Sequence, residues 1–215
     1  RAADGEAFHL DALLGWAIAR RCGHLADARV FRARQPVAAR AGVWLLVDQS
    51  ASTAAGLGGG TAGAPGGPSV LQAAARGATA TALALQALGV PCTVAAFQSN
   101  GRQAVRLRLL QGPGTLVQAG LAQRLQGLRP GGSTRLGAAL RHATQRLGPG
   151  RGGARWVLLV SDGQPHDVDV HDPRYLVDDA RHAVQAARRR GVRMACLALA
   201  GGPAPEALRI FGRAG

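Results

Sequence analysis

Lysine is absent from this 215-residue chain, aromatic residues make up 4% of it, and no aspartate or glutamate occurs between Asp48 and Asp162. Each absence excludes something. With no lysine, all 26 basic residues are arginine, and the Gly-rich Lys loop that cradles phosphates in nucleotide hydrolases cannot be formed. One Tyr and four Phe leave too few rings for base stacking, which argues against a nucleic-acid-binding module. The same shortage means that the core is built from Ala, Leu and Val, a composition that suits helices packed closely on a sheet. Cysteine is scarce as well: Cys22, Cys92 and Cys196 are odd in number, widely spaced and set among apolar residues, so they imply no disulfide framework and read as reduced, packed thiols. Apolar runs such as Val43 to Val47 and Trp156 to Val160 are far too short to span a bilayer, and no signal peptide opens the chain, so a soluble cytoplasmic protein without membrane insertion is expected.

What is present is strongly basic. The formal net charge of +14 favours acidic partners. Six of the 12 acidic residues, Asp162, Asp167, Asp169, Asp172, Asp178 and Asp179, fall in one stretch, which predicts one acidic rim on an otherwise basic surface. The length fits one well-cored domain with some extra. Residues 1–40 read as a helical extension, with a helix over about Leu10 to Arg21 and a basic connector from Phe31 to Pro36. Residues 41–215 read as the main domain. Because the chain starts at Arg1 without an initiator Met, a piece of a longer polypeptide is expected.

Short apolar runs alternate with helical patterns, the signature of a doubly wound α/β fold: a mostly parallel sheet with one antiparallel edge strand and helices on both faces. Strands are expected at 42–47, 92–97, 104–109, 156–161 and 192–199. The first and fourth lack polar alternation and belong in the centre. The third alternates and follows the tight turn Gln98-Ser99-Asn100-Gly101, so it belongs at an antiparallel edge. Ser69 caps a helix running to about Leu88, an apolar face from Leu136 to Leu147 forms another, and Asp172-Pro173 opens a third that ends at Gly191. The Gly/Ala-rich stretch from Ala54 to Pro68 reads as a mobile loop.

Two strands end in aspartate. Asp48-Gln49-Ser50-Ala51-Ser52, a D-x-S-x-S pattern, follows the first central strand, and Asp162-Gly163 follows the other; Gly131-Gly132-Ser133-Thr134 opens the helix at Leu136. In open α/β sheets ligands bind outside the carboxyl ends of strands, where the strand order reverses. Two carboxylates and three hydroxyls form an all-oxygen set of the kind that suits Mg²⁺ or Mn²⁺.

These motifs resemble the metal-ion-dependent adhesion site of von Willebrand factor A domains. The resemblance implies that Ser50, Ser52 and Thr134 bind the metal through hydroxyls, that Asp48 and Asp162 act directly or through water, and that one position is left for a carboxylate of the partner. Phe97 to Arg102, Leu128 to Ala143, and Ser161 to Val170 followed by Tyr175 and Asp178 resemble the C-terminal domain of NorD and CbbO proteins, with Asp48 to Thr53 and His171 to Tyr175 nearer the NorD pattern. That family implies an adaptor, not an enzyme, that works with a MoxR-type AAA+ ATPase on a client enzyme: nitric oxide reductase, or rubisco in the CbbO-like alternative. It also implies that this chain stops before the family's last strand and helix.

Other residues have blander readings. His166, Asp167, Asp169, His171 and Asp172 could be a second metal cluster, but without fixed ligand spacing they read as a solvated loop with Asp172 as a helix cap. Asp178 and Asp179 complement the positive end of their helix. Arg135 and Arg141 read as solvated helix residues or as donors to a partner. A phosphatase that uses Asp48 for aspartyl-phosphate chemistry needs an acid two residues on, where Ser50 stands.

Overall fold

The computed structural model describes residue 8 and residues 10–31, 41–57, 67–114, 116–148, 153–199 and 205–212. The chain divides into two units, Arg1–Ala39 and Arg40–Gly215. In the first, helix α1 spans Leu10–Arg21, the Arg20 guanidinium lies over the Trp16 ring, and the rings of Phe8 and Phe31 stack 4.7 Å apart. The basic connector expected at 31–36 falls, after Phe31, outside the described residues.

The second unit carries a five-stranded sheet: β1 (Gly42–Asp48), β2 (Cys92–Ser99), β3 (Val105–Gln111), β4 (Arg155–Ser161) and β5 (Val192–Ala198). The strand order is β3-β2-β1-β4-β5, with every pairing parallel except that of β2 with the edge strand β3. Between the strands lie α2 (Val70–Ala87), α3 (Leu121–Gln126), α4 (Leu136–Leu147) and α5 (Pro173–Arg189), and α6 (Pro205–Phe211) follows β5. This is the doubly wound α/β arrangement that the alternation of apolar runs and helical patterns predicts.

Side chains alternate across β1 and feed two cores. Trp44 and Leu46 join Leu136, Leu140, Ala180, Val184 and Phe211 on the α4, α5 and α6 side, while Val43, Leu45 and Val47 join Leu71, Ala78, Leu121 and Leu125 on the α2 and α3 side. Burial on both faces explains the uninterrupted GVWLLV run, each such side chain contributing about 1.5–3 kcal/mol. Alanines set the spacing: Ala74, Ala75, Ala78 and Ala82 line the buried face of α2. On the other layer α4 and α5 approach so closely that a Cβ on Gly137 would lie 2.9 Å from Asp179 Cγ, so this position accepts no side chain without moving α5.

The helix caps are those the sequence signals. Ser69 Oγ accepts from Gln72 N and Gln72 Oε1 accepts from Ser69 N, a reciprocal cap on α2; Asp172 Oδ1 accepts from Arg174 N at the start of α5. Other elements differ from expectation. The turn between β2 and β3 covers 100–104, longer than the tight turn expected, and α3, α6 and a 3-10 turn at Ala51–Ala54 have no counterpart in the sequence reading. Of the loop expected at 54–68, residues 58–66 lie outside the described residues; its ends pair, with Val70 N donating to Ala55 O at 2.9 Å and Leu57 N to Pro68 O at 3.1 Å. Cys92 is buried and Cys196 half-buried, but Cys22 is exposed, contrary to the packed thiol expected there. Among the described residues no helix is long and apolar enough to cross a membrane.

Candidate metal centre

The strand order reverses at β1 and β4, which place the carboxyl ends of two parallel neighbours side by side. Register fixes what meets there. Val47 pairs with Val160, so the next residues along, Asp48 and Ser161, are adjacent, and Ser161 Oγ donates to Asp48 Oδ2 at 2.7 Å. The other oxygen, Asp48 Oδ1, accepts from Ser50 N at 2.9 Å, which folds the chain back over the strand end. Ser50 O then accepts from Thr53 N and Thr53 Oγ1, closing the 3-10 turn and leaving Ser50 Oγ 3.0 Å from Ser52 Oγ.

Thr134 arrives from a different loop. Ser99 N donates to Ser133 O at 2.8 Å and Ser133 N to Ser99 O at 2.7 Å, which fastens the loop to the end of β2. Gly132 makes that approach possible: its φ is +68°, and a Cβ there would lie 2.6 Å from Ser99 O. Ala51 N donates to Gly132 O and Gly131 N to Gln49 O, so the serine turn and the threonine loop are laced together. Thr134 Oγ1 ends 3.5 Å from Asp48 Oδ2, and Thr134 N donates to His166 O at 2.6 Å. Asp162 Oδ1 accepts from Gln164 N at 3.1 Å and lies 3.4 Å from Ser161 Oγ. One hydroxyl proton cannot serve both carboxylates, and the shorter distance assigns it to Asp48. Hydrogen bonds thus link Asp48 to Thr134, Ser161 and the Ser50 N–H, Ser50 is joined to Ser52, and Asp162 lies beside Ser161 without its proton.

The electrostatics of this crevice are unbalanced. Asp48 has no exposed surface and Asp162 is buried, yet among the described residues neither forms an ion pair. Burial pushes the Asp48 carboxyl up to about 6, with the negative charge of Asp162 adding to the effect and the hydrogen bonds from Ser161 and Ser50 opposing it. Burial also raises the Cys196 thiol on β5 to about 12, and both carboxylates add to that shift. Two carboxylates ringed by hydroxyls, with no positive group of the described residues paired to them, fit a hard divalent cation. A zinc-type centre has no candidate, since among the described residues no three His, Cys, Asp or Glu side chains gather.

The arginine that follows Thr134 is otherwise engaged. Arg135, next to Thr134, was expected to be solvated or to face a partner, but it is buried: its Nε donates to Asp167 Oδ2 at 2.7 Å and its Nη2 pairs with Asp169. Asp167 is not the solvated loop residue expected either. It is 1% exposed and accepts from Ser99 Oγ at 3.0 Å, Gly101 N at 2.8 Å and Val168 N at 2.8 Å besides Arg135. Burial by itself would raise its carboxyl, but Arg135 and these donors outweigh it and hold the group below the usual aspartate range. Arg141 and Asp179 also depart from expectation, since they pair with each other between α4 and α5 at 2.9 Å. Asp172 is a helix cap, as expected. Ser161, Ser99 and Asp167 are the site's supporting residues that sequence reasoning missed. A serine closing an otherwise apolar strand just before Asp162 was the one available signal.

Comparison with known proteins agrees with the fold. A family model described as the von Willebrand factor type A domain matches residues 68–214, a span that begins after β1 and the serine turn. The chain is 40% identical over 115 residues to Protein NorD of Stutzerimonas stutzeri, covering 54% of this chain and 19% of that protein. It is 30% identical over 212 residues to Protein NorD of Brucella suis biovar 1, covering 99% of this chain and 32% of that protein. The chain therefore spans about a fifth to a third of the length of these relatives. Among solved structures, the crystal structure of the SpRpn10 VWA domain superposes with a TM-score of 0.53 at 12% identity, over 80% of this chain and 82% of that one.

Proposed function

We propose, because the chain belongs to the von Willebrand factor type A domain family, that it is a metal-dependent protein-binding domain and that the crevice at Asp48 and Asp162 is its working site. The observation that carries this reading is the buried carboxylate pair, which no cation among the described residues neutralises, beside the hydroxyls of Ser50, Ser52 and Thr134. Mg²⁺ or Mn²⁺ bound there would supply a Lewis-acidic centre for one further oxygen ligand, an Asp or Glu side chain of a partner. The hydroxyls contribute no negative charge, so the ion would keep enough positive charge to attract that carboxylate. The likeness to NorD proteins extends the proposal: this domain is the client- or motor-binding part of an adaptor that works with a MoxR-type AAA+ ATPase on nitric oxide reductase.

The proposal includes no catalysis. Ser50 stands two residues after Asp48, where aspartyl-phosphate chemistry needs a general acid, and the chain has no lysine for a phosphate-binding loop. The isolated chain with Mg²⁺ is expected to hydrolyse neither ATP nor a generic phosphate ester above background. Turnover that disappears in Asp48→Ala would overturn this.

Ser50→Ala and Thr134→Ala test the adaptor reading. Each removes one hydroxyl from a loop at a strand end and leaves the two apolar cores untouched, so melting should shift by little more than the hydrogen bond lost, about 1 kcal/mol. Metal affinity and activation of nitric oxide reductase should both be lost. Measured in parallel, wild-type activation by a variant that binds no metal would sink the mechanism.

A further inference from the structure

Next to the metal crevice lies a groove of about 510 Å³ that the site itself does not use. Its floor is apolar, Pro165 and the buried Val177, and its walls are charged: Arg174, Asp178 and Arg181 from α5, Glu206 and Arg209 from α6. The walls are held in place. Ala207, Ile210 and Phe211 of α6 are buried, and Arg188 Nη2 donates to Phe211 O at 2.7 Å, fixing α6 to α5. Among the described residues no ion pair within 4.0 Å engages Arg174, Arg181 or Arg209, whereas Arg135 and Arg141 are neutralised by Asp167, Asp169 and Asp179. The groove thus concentrates arginines without an ion-pair partner among the described residues.

Its position matters as much as its charge. Gln164 and His166, which line the groove, belong to the loop that serves the metal crevice: Gln164 N holds Asp162 Oδ1 and His166 O holds Thr134 N. Gln164 follows Asp162 by two residues, so their Cα atoms are at most about 7 Å apart. Along α5, Arg174 and Arg181 lie two turns apart on one face, about 10 Å, which is the spacing of residues three apart in an extended peptide.

We propose that this groove is a second subsite, for carboxylates that flank the one on the metal, so that the domain reads an acidic protein segment rather than a single acidic side chain. This rests on the metal-binding reading above. Arg174, Arg181 and Arg209 take the flanking carboxylates, and Asp178 and Glu206 between them disfavour a uniformly dense anion such as a nucleic-acid backbone.

The test uses the whole 215-residue chain at 150 mM salt, with a labelled hexaglutamate peptide as probe and a six-residue deoxythymidine oligonucleotide as competitor. Arg174→Ser/Arg181→Ser is compared with the charge-matched control Arg189→Ser/Arg190→Ser at the far end of α5. All four side chains are exposed, and melting curves check that the fold is kept. With Mg²⁺, the groove variant should bind hexaglutamate at least ten-fold more weakly than wild type, while its Mg²⁺ affinity and the control variant's peptide affinity stay within two-fold. The proposal is overturned if the groove variant keeps wild-type peptide affinity, if the control loses as much, if wild type binds no peptide, or if the oligonucleotide displaces the peptide equally well. Asp48→Ala separates the two readings: peptide binding that survives there but fails in the groove variant removes the metal's part and leaves the groove as an anion site.

Discussion

Asp48→Asn is expected to abolish Mg²⁺ and Mn²⁺ binding and yet, in chelator at pH 7.5, to melt at a higher temperature than the wild-type chain. Both effects have one cause. Asp48 is fully buried with no ion-pair partner among the described residues, and burial, reinforced by Asp162, lifts its carboxyl from 3.8 to about 6. A carboxyl whose folded pKa lies above its unfolded value binds its proton more tightly in the native state. Its contribution is therefore most favourable below about pH 4, falls as pH rises through 6, and is flat beyond. A shift of about two units corresponds to roughly 3 kcal/mol. Asparagine removes the charge and keeps the shape. Its carbonyl still accepts from Ser50 N, and its amide can donate to Ser161 Oγ. Bound metal should reverse the order, since an ion at about 1,000 times its Kd adds about 4.1 kcal/mol to the wild type and nothing to the variant. Calorimetry and melting between pH 4.5 and 8, with and without Mg²⁺, measure all of this. Equal metal affinity, or parallel pH profiles in chelator, would show that the crevice is not organised around an unpaired charge.

The same two strand ends show why so much of the centre was legible in the sequence. GVWLLV and WVLLVS are apolar without alternation because both faces are covered, and a polar residue at the end of such a run must lie where the covering helices stop. Asp48, Asp162 and the Gly-rich Thr134 loop are conspicuous for that reason. Elements that depend on tertiary support left no such mark. Helix α3 has six residues and begins at Gly120 rather than at a capping side chain, and α6 has seven. Neither is long enough to display a helical period. The pairing of Arg135 with Asp167 was beyond reach for a different reason. The two are 32 residues apart in separate loops, and each alone looks like an ordinary surface charge. Only the fold reveals that the run after Asp162 is turned inward at Asp167.

That inward turn yields a second large effect. Asp167→Ala should destabilise the domain by about 3–5 kcal/mol, because the side chain is completely buried and its loss strands the buried Arg135 guanidinium with only Asp169 as partner. Ser99 Oγ and Gly101 N lose their acceptor at the same time. Arg135→Ala should cost a similar amount by leaving Asp167 charged and buried, and the double variant should cost much less than the sum of the two. The acid response has the opposite sign to that of Asp48. Asp167 is held below its usual pKa, so its contribution is complete above about pH 4 and is lost as pH falls toward the depressed value. The network also reaches the candidate metal centre. Ser99 Oγ donates to Asp167 and accepts from Arg135 N, the amide that follows Thr134, so loosening it frees the threonine loop. Groups that orient ligands in this way typically change metal affinity 10–100-fold. Urea unfolding of the two single variants and the double, with Mg²⁺ calorimetry on each, tests the stability and the positioning role separately. If Asp167→Ala unfolds within 1 kcal/mol of wild type, the pair is a surface contact after all; if it is unstable but binds Mg²⁺ as tightly as wild type, the network holds the fold and has no part in placing Thr134.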